Sequence, residues 1–469
     1  MLDGFKDIAR LLVLNTDSYK TSHWLQYPPG TTTVFSYVEA RGGALPCTVF
    51  FGLQALLKEY FSKPVTTDDL TLAADVCAAH GVPFNRDGWQ HIVDTHGGRL
   101  PLRIRAVPEG SVVPVNHALV TVENTDPACA WLPSYVETAL LRVWYPTTIA
   151  SQGLATRRLI GDALGRTGDP AGLPFKLHDF GARGVSSLES AMLGGMAHLV
   201  NFRGTDNMTA LLGARLYYGE PMAGFSIPAA EHSTITAWGR DGELAAYRNM
   251  LRQFGKPGAV LAVVSDSYDL DDAVSRLWGG ALRDEVIASG ATIVIRPDSG
   301  DPTTIVLRTV RALDTSFGSD VNAKGFKVLR HVRVIQGDGI THASIASILG
   351  ALESAGYSAD NVAFGQGGAL LQQVNRDTLG FAMKASAAQV DGQWRDVFKA
   401  PVTDPAKRSK AGRLTLMRRG GAFASVRLDS PGYLEGRSQG AVEVLRTVFE
   451  DGRLLVDDSF AAIRARVGG

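Results

Sequence analysis

Cysteine is nearly missing from this chain, with three in 469 residues: Cys47, Cys77 and Cys129. The number is odd and no two share a C-x-x-C spacing, so neither a disulfide framework nor a zinc site is indicated. A reducing compartment, the cytoplasm, is the expectation. An excess of either charge is missing too, since 47 basic residues face 47 acidic ones. That balance argues against bulk nucleic-acid binding, which normally needs a basic surplus. It leaves room for small anionic substrates held by a local Arg/Lys cluster. Long apolar runs are also lacking, and none approaches the roughly 20 residues that span a bilayer. The N-terminal run from Ile8 to Leu14 is short and interrupted by Arg10, with no small-residue cleavage site after it. Neither a membrane anchor nor a secretory leader is expected.

What the chain does contain is ordinary globular material, 45 % apolar and 20 % charged, long enough for two or three domains. From Phe175 onward one grammar repeats: a short Val/Ile-rich run, a polar Gly-containing loop, then a helical pattern. The runs are Phe175–Gly181, Leu199–Asp206, Gly224–His232, Ala259–Asp266, Ala291–Asp298, Val332–Asp338 and Asn361–Gly368. Apolar runs without alternation predict strands buried on both faces, as in parallel sheets. Seven such units in series predict a (β/α) barrel, with a doubly wound sheet as the alternative. Polar residues end every run, whereas a doubly wound sheet concentrates them at one switch point, so the barrel is favoured. The stretch from about Val34 to Tyr145 alternates, as in Leu102–Val107 and Leu119–Glu123, and predicts a mainly antiparallel second domain. The strand-rich stretch after Ala387, including Gly421–Leu428, reads as a return to it.

Several loop residues are suited to binding an anion. Gly337-Asp338-Gly339 and Gly365-Gln366-Gly367-Gly368 each follow a buried run and precede a helical pattern. Glycines there let backbone N–H groups approach a phosphate, although tight βα turns use glycine as well. Arg183 follows Asp179-Phe180-Gly181, and Ser186-x-x-Glu189 reads as a capping box opening the next helix. Arg296 and Asp298 share one strand end, either as a simple ion pair at a barrel rim or with Asp298 holding a ribose hydroxyl or a metal ion. His232 is either a hydrogen-bonded structural residue or a reactive one. Phe180 offers a stacking face for a flat heteroaromatic ring if it is not core. Lys384, Lys399 and Lys407 are surface lysines or guides for a polyphosphate. The residues by themselves describe a barrel enzyme acting on a phosphorylated substrate.

Longer blocks narrow this. Asn15–Lys20 with Gln26–Pro29, His178–Gly181 with Arg183–Ser187, Gly204–Asp206 and Ile227–Trp238 are similar to the nicotinamide phosphoribosyltransferase family. So are Val264–Asp269, Ile295–Gly300, Ile335–Gly339 and Lys407–Lys410. The resemblance runs in order from about residue 13 into the C-terminal region. It implies an irregular (β/α) barrel of the type II phosphoribosyltransferases beside a β-rich domain. The segments are 1–33 (contributing to a partner's active site), 34–149 (β-rich), 150–386 (barrel) and 387–469 (return to the β-rich domain). The implied reaction joins nicotinamide to 5-phosphoribosyl 1-pyrophosphate and releases pyrophosphate, with nicotinate chemistry or a non-catalytic nucleotide sensor on the same fold as alternatives.

The resemblance also implies roles. Phe180 and a partner's Tyr19 sandwich the pyridine ring, Asp206 accepts from the carboxamide, and Asp17 and Ser226 belong to the substrate-binding set. Arg183 and Arg296 lie by ring and pyrophosphate, Asp298 with Gly337 and Asp338 by the ribose, and Gly367, Gly368 and Arg376 by the 5′-phosphate. Mg²⁺ bridges pyrophosphate oxygens, with Asp266 and Asp298 as nearby candidates. His232 is phosphorylated by ATP, and Lys384, Lys399 and Lys407 line the polyphosphate entrance. The implied assembly is a homodimer. Ala182 replaces an aromatic residue of vertebrate members, and Ala369 replaces a third glycine. Arg376 lies about 12 Å along a straight helix from Gly368, so its assignment requires that helix to be short or bent.

Overall fold

A computed structural model describes residues 4–400, 403 and 409–468. The chain forms two compact units: Met1–Ser151 with Leu216–Glu220 and Asn375–Gly469, and Gln152–Arg215 with Pro221–Val374.

The first unit is built on a seven-stranded sheet. Its strand order is Gln393–Asp396, Phe381–Val390, Thr31–Ala40, Ala118–Asn124, Leu102–Ala106, Arg446–Glu450, Arg453–Leu454, with antiparallel neighbours throughout. Leu102–Ala106 alternates buried and half-buried residues, as a strand with one face on the core does. Thr31–Ala40 is buried along its last seven residues. Phe35, Tyr37, Ala118 and Ala387 share a core cluster with Leu414, from the strand Leu414–Arg419 of a separate three-stranded sheet. Phe381–Val390 begins inside the stretch read as barrel, yet it pairs with Thr31–Ala40 from Phe381 onward. Its alternation is masked because it is central, with neighbours on both sides.

The second unit carries a six-stranded parallel sheet, ordered Gly204–Thr205, Leu177–Asp179, Val362–Gln366, Val332–Gln336, Thr292–Arg296, Val260–Val264. Residues 225–230 close it into a ring. Phe225 bridges to Gly204 and Ala229 to Ala262, both parallel, through Thr205 N–H to Phe225 O (3.0 Å) and Ala230 N–H to Ala262 O (2.9 Å). This segment was expected to be a regular strand and is not, because Pro228 has no N–H to give to a ladder. Only Gly204–Thr205 of the expected run Leu199–Asp206 is strand. Of the apolar residues before it, Leu199 ends the helix Leu188–Leu199, Val200 caps it and Phe202 lies in the loop that follows; an apolar cluster there imitates a buried strand.

Parity along the strands explains the unbroken apolar runs. Leu261, Val263, Ile293, Ile295, Val334, Val362 and Phe364 point outward into a large core shared with the helices, among them the stacked pair Tyr247 and Trp278. Ala262, Val294 and Ile335, one residue out of step, meet Phe180, Ile227 and Ala363 inside the ring. Each strand is therefore apolar on both faces, as barrel strands are. At the strand N-termini the half-buried Lys176 donates to the carbonyls of Ala359, Asp360 and Val362 at 2.9–3.1 Å. Burial lowers its pKa to about 8.

Candidate active site

A cleft of about 790 Å³ opens at the C-terminal ends of these strands. Six successive strand ends or their loops line it. They supply Asp179 and Phe180, Asp206, Ala229 to Glu231, Arg296 and Asp298, Gly337 and Asp338, and Gly367 and Gly368. This is the face where barrel enzymes build their sites.

The Phe180 ring is held by glycines. A Cβ on Gly365 would sit 1.9 Å from Phe180 Cε2, and one on Gly337 only 3.2 Å from Asp298 Oδ1 and 3.7 Å from the same ring. No side chain fits at Gly365 while the ring lies where it does. The loop from Asp179 is fixed by its own carboxylate. Asp179 Oδ1 accepts from Gly181 N–H (2.7 Å), Oδ2 from Asn207 Nδ2 (3.0 Å), and its carbonyl from Asp206 N–H (3.0 Å). Burial raises the Asp179 pKa to about 6 against these hydrogen bonds. No role for Asp179 is read from the sequence above. A carboxylate at a strand end, among residues that are otherwise apolar, is the signal it leaves there. The neighbouring His178 is pushed below its usual range by burial, which Asp206 partly opposes, and it shares a hydrogen bond with Phe175 O (3.0 Å).

Asp206 is exposed to the cleft and receives the Ser226 hydroxyl at 2.6 Å. Arg296 and Asp298 form a two-point pair, Nη2 to Oδ2 at 2.7 Å and Nε to Oδ1 at 3.3 Å. Both the ion pair and the position at the rim are therefore present. Behind them Asp266 is almost fully occupied. One oxygen faces His232 Nε2 at 3.1 Å, and the other accepts from Asp298 N–H (3.0 Å) and Ser299 Oγ (2.7 Å). His232 opens a short helix, His232–Thr236, capped by Glu231. Arg183 lies on a 3₁₀ turn, Ala182–Gly184, and lines the cleft with Gly184. The helix after it is capped by Ser187, which accepts from Ser190 N–H, rather than by Ser186 as expected.

After Gly368 the helix lasts four residues, Gly368–Leu371, and a second turn starts at Arg376. The helix is thus short, as an Arg376 assignment requires. Arg376 itself belongs to the first unit, where it pairs with Asp377 at 2.9 Å. Lys384 and Lys399 belong there too. Burial lowers the Lys384 pKa; Glu137 opposes this, and the charges of Arg41, Lys399 and Arg376 add to it. Lys407 lies outside the described residues. Asp17 and Tyr19 are exposed in the first unit. Asp17 Oδ2 accepts from Thr138 Oγ1 (2.6 Å), and Tyr19 meets His23 edge-on at 5.2 Å.

A sequence profile of the nicotinate phosphoribosyltransferase (NAPRTase) family matches residues 175–453. One of the nicotinamide phosphoribosyltransferase N-terminal domain matches residues 11–104. The chain is 59% identical over 458 residues to a nicotinamide phosphoribosyltransferase of Xanthomonas campestris pv. campestris, covering 97% of each. It is 32% identical over 495 residues to one of Acinetobacter baylyi, covering 96% of each. Among solved structures it is similar to nicotinate-nucleotide pyrophosphorylase from Pyrococcus furiosus, with TM-score 0.62 at 15% identity over 100% of this chain and 96% of that one. Human nicotinic acid phosphoribosyltransferase gives TM-score 0.58 at 18% identity, over 97% and 93%. The fold is that of the type II phosphoribosyltransferases, a barrel that carries its site on the strand ends beside a β-rich unit. Within that class, the chain belongs to the nicotinamide phosphoribosyltransferase family. Among the described residues no helix is long and apolar enough to cross a membrane.

Proposed function

We propose that the cleft joins nicotinamide to 5-phosphoribosyl 1-pyrophosphate, giving nicotinamide mononucleotide and pyrophosphate. The observation that carries this is Asp206, an exposed carboxylate held by Ser226 in the same cleft as the Phe180 ring. Such a group accepts from a carboxamide N–H₂ and repels the carboxylate of nicotinate. The test is release of pyrophosphate from an equal mixture of the two pyridines. Nicotinamide is expected to be consumed first; faster turnover of nicotinate overturns the reading.

In this reaction the anomeric bond breaks towards an oxocarbenium-like state, and the protein positions a weak nucleophile and stabilises the departing anion. Arg183 and Arg296 supply positive charge at the mouth, Asp298 and the Gly337-Asp338 backbone hold ribose hydroxyls, and Gly367 and Gly368 receive the 5′-phosphate. The oxygen donors Asp266 and Asp298 suit magnesium by type. Asp266, however, is satisfied by His232, Ser299 and a backbone N–H, and Asp298 by Arg296. These two carboxylates would therefore hold magnesium as outer partners, and the ion would supply neutralisation of the pyrophosphate charge.

His232 is read as the residue that ATP phosphorylates. With Asp266 holding the Nε2 proton, Nδ1 keeps its lone pair for attack on the terminal phosphorus, and ADP leaves. Tyr19, 60% exposed, is read as the second face of the ring site, supplied by a partner copy. The exposed side chains of Leu188, Met208 and Leu212 in the second unit fit a homodimer. Cys47, Cys77 and Cys129 are all free, which suits a reducing cytoplasm.

A further inference from the structure

In the first unit, one helix and one turn bring together residue types that the reaction above does not use. His91 and His96 lie on the helix Arg86–His96, and Asp126 and Cys129 frame the turn Pro127–Cys129. Both imidazoles converge on one oxygen: His91 Nε2 and His96 Nε2 each lie 2.7 Å from Asp126 Oδ2. The other oxygen is already taken by Ala128 N–H at 2.8 Å. Donor atoms of His91, Asp126 and Cys129 all lie within 4.8 Å of one another. The far nitrogen of the His91 ring, Nδ1, meets Thr95 Oγ1 at 3.2 Å, so the ring orientation is set from behind.

We propose that His91, Asp126 and Cys129 bind a zinc-like divalent cation, with His96 supporting the set through its contact with Asp126. Mixed nitrogen, oxygen and sulfur donors select zinc over magnesium or calcium, which take oxygen alone. Around a tetrahedral zinc the donor atoms stand roughly 3.3–3.8 Å apart, so the donors of His91, Asp126 and Cys129, already within 4.8 Å of one another, need only small side-chain rotations, with the fourth position left to solvent. Binding releases the Cys129 proton to solvent; the resulting thiolate and the Asp126 carboxylate then offset the dication, and neutral imidazole adds no charge. The cysteine census gave no hint of this because the residues lie on two separate elements, and only one of the four is a cysteine.

The test uses the full-length protein, stripped with a chelator under reducing conditions. Zinc is titrated against a chromophoric chelator, and cobalt(II) is then added as a spectroscopic probe. Expected are one ion per chain and a thiolate-to-cobalt charge-transfer band that Cys47→Ser retains and Cys129→Ser removes. His91→Ala, at a partly exposed position, should fold and lose the zinc. His96→Ala should weaken it about 10–100-fold, the range for a residue supporting a metal shell. Absence of the cobalt band in the unaltered protein overturns the proposal, as does zinc affinity that His91→Ala leaves unchanged. In either case the four residues form only an ion pair joining helix to turn.

Discussion

Phe180 occupies its place because Gly365 has no side chain: a Cβ there would overlap the ring at 1.9 Å. Gly365→Ala must therefore push the ring into the cleft or away from it. The expected result is an increase of about tenfold in the KM for the pyridine, the equivalent of one lost stacking contact. KM for phosphoribosyl pyrophosphate should change far less, and steady-state kinetics with each substrate varied checks this. Asp179 behind the ring yields a prediction in pH. Burial raises its folded pKa to about 6 from an ordinary value near 3.9. The group favours folding below the lower value, and that contribution is lost as pH rises through the higher one. Ionising it withdraws up to about 3 kcal/mol between pH 4 and pH 7. Urea unfolding of the unaltered protein and of Asp179→Asn at both pH values isolates the effect. The variant should show a pH dependence smaller by about that amount. Glu109, also buried and raised to about 7, contributes equally to both proteins and cancels.

At the scale of elements, the two-faced burial of the barrel strands implies that lumen positions resist truncation. Ile335 is 5% exposed inside the ring, beside Ala262 and Val294. Ile335→Ala should cost about 2–5 kcal/mol in denaturant unfolding, whereas truncating the exposed Leu188 should cost little. These same strands were the legible part of the sequence. Val260–Val264, Thr292–Arg296, Val332–Gln336 and Val362–Gln366 fall within four of the seven expected runs. An unbroken Val/Ile run between turn residues has few other uses. Composition could not tell the helix end and loop at 199–203 from a strand. Nor could it show that Pro228 reduces 225–230 to isolated bridges. The polar strand ends were legible as candidate residues, because a charged residue ending a buried run has to face a cleft or solvent. Their partners were not legible. Ser226 on Asp206, Asp266 beneath Asp298, and Asn207 on Asp179 are contacts between segments 20 to 32 residues apart. Spacing along the chain carries no record of them.

For the whole molecule, the decisive question is which chain completes which ring site. Phe180 belongs to the second unit and Tyr19 to the first. On the reading proposed above, Tyr19 acts on the partner's Phe180. Complementation tests that arrangement directly. Tyr19→Ala and Phe180→Ala homodimers each have two defective sites. A heterodimer of the two has one site lacking both rings and one with both intact. If subunits exchange freely, half the dimers in an equal mixture are heterodimers, so about a quarter of all sites are restored. Activity of the mixture should therefore rise above that of either variant alone towards about 25% of the unaltered enzyme, and it should track exchange followed by mass-tagged subunits. Were Tyr19 to act on the Phe180 of its own chain, every heterodimer site would lack one ring, and mixing would restore nothing.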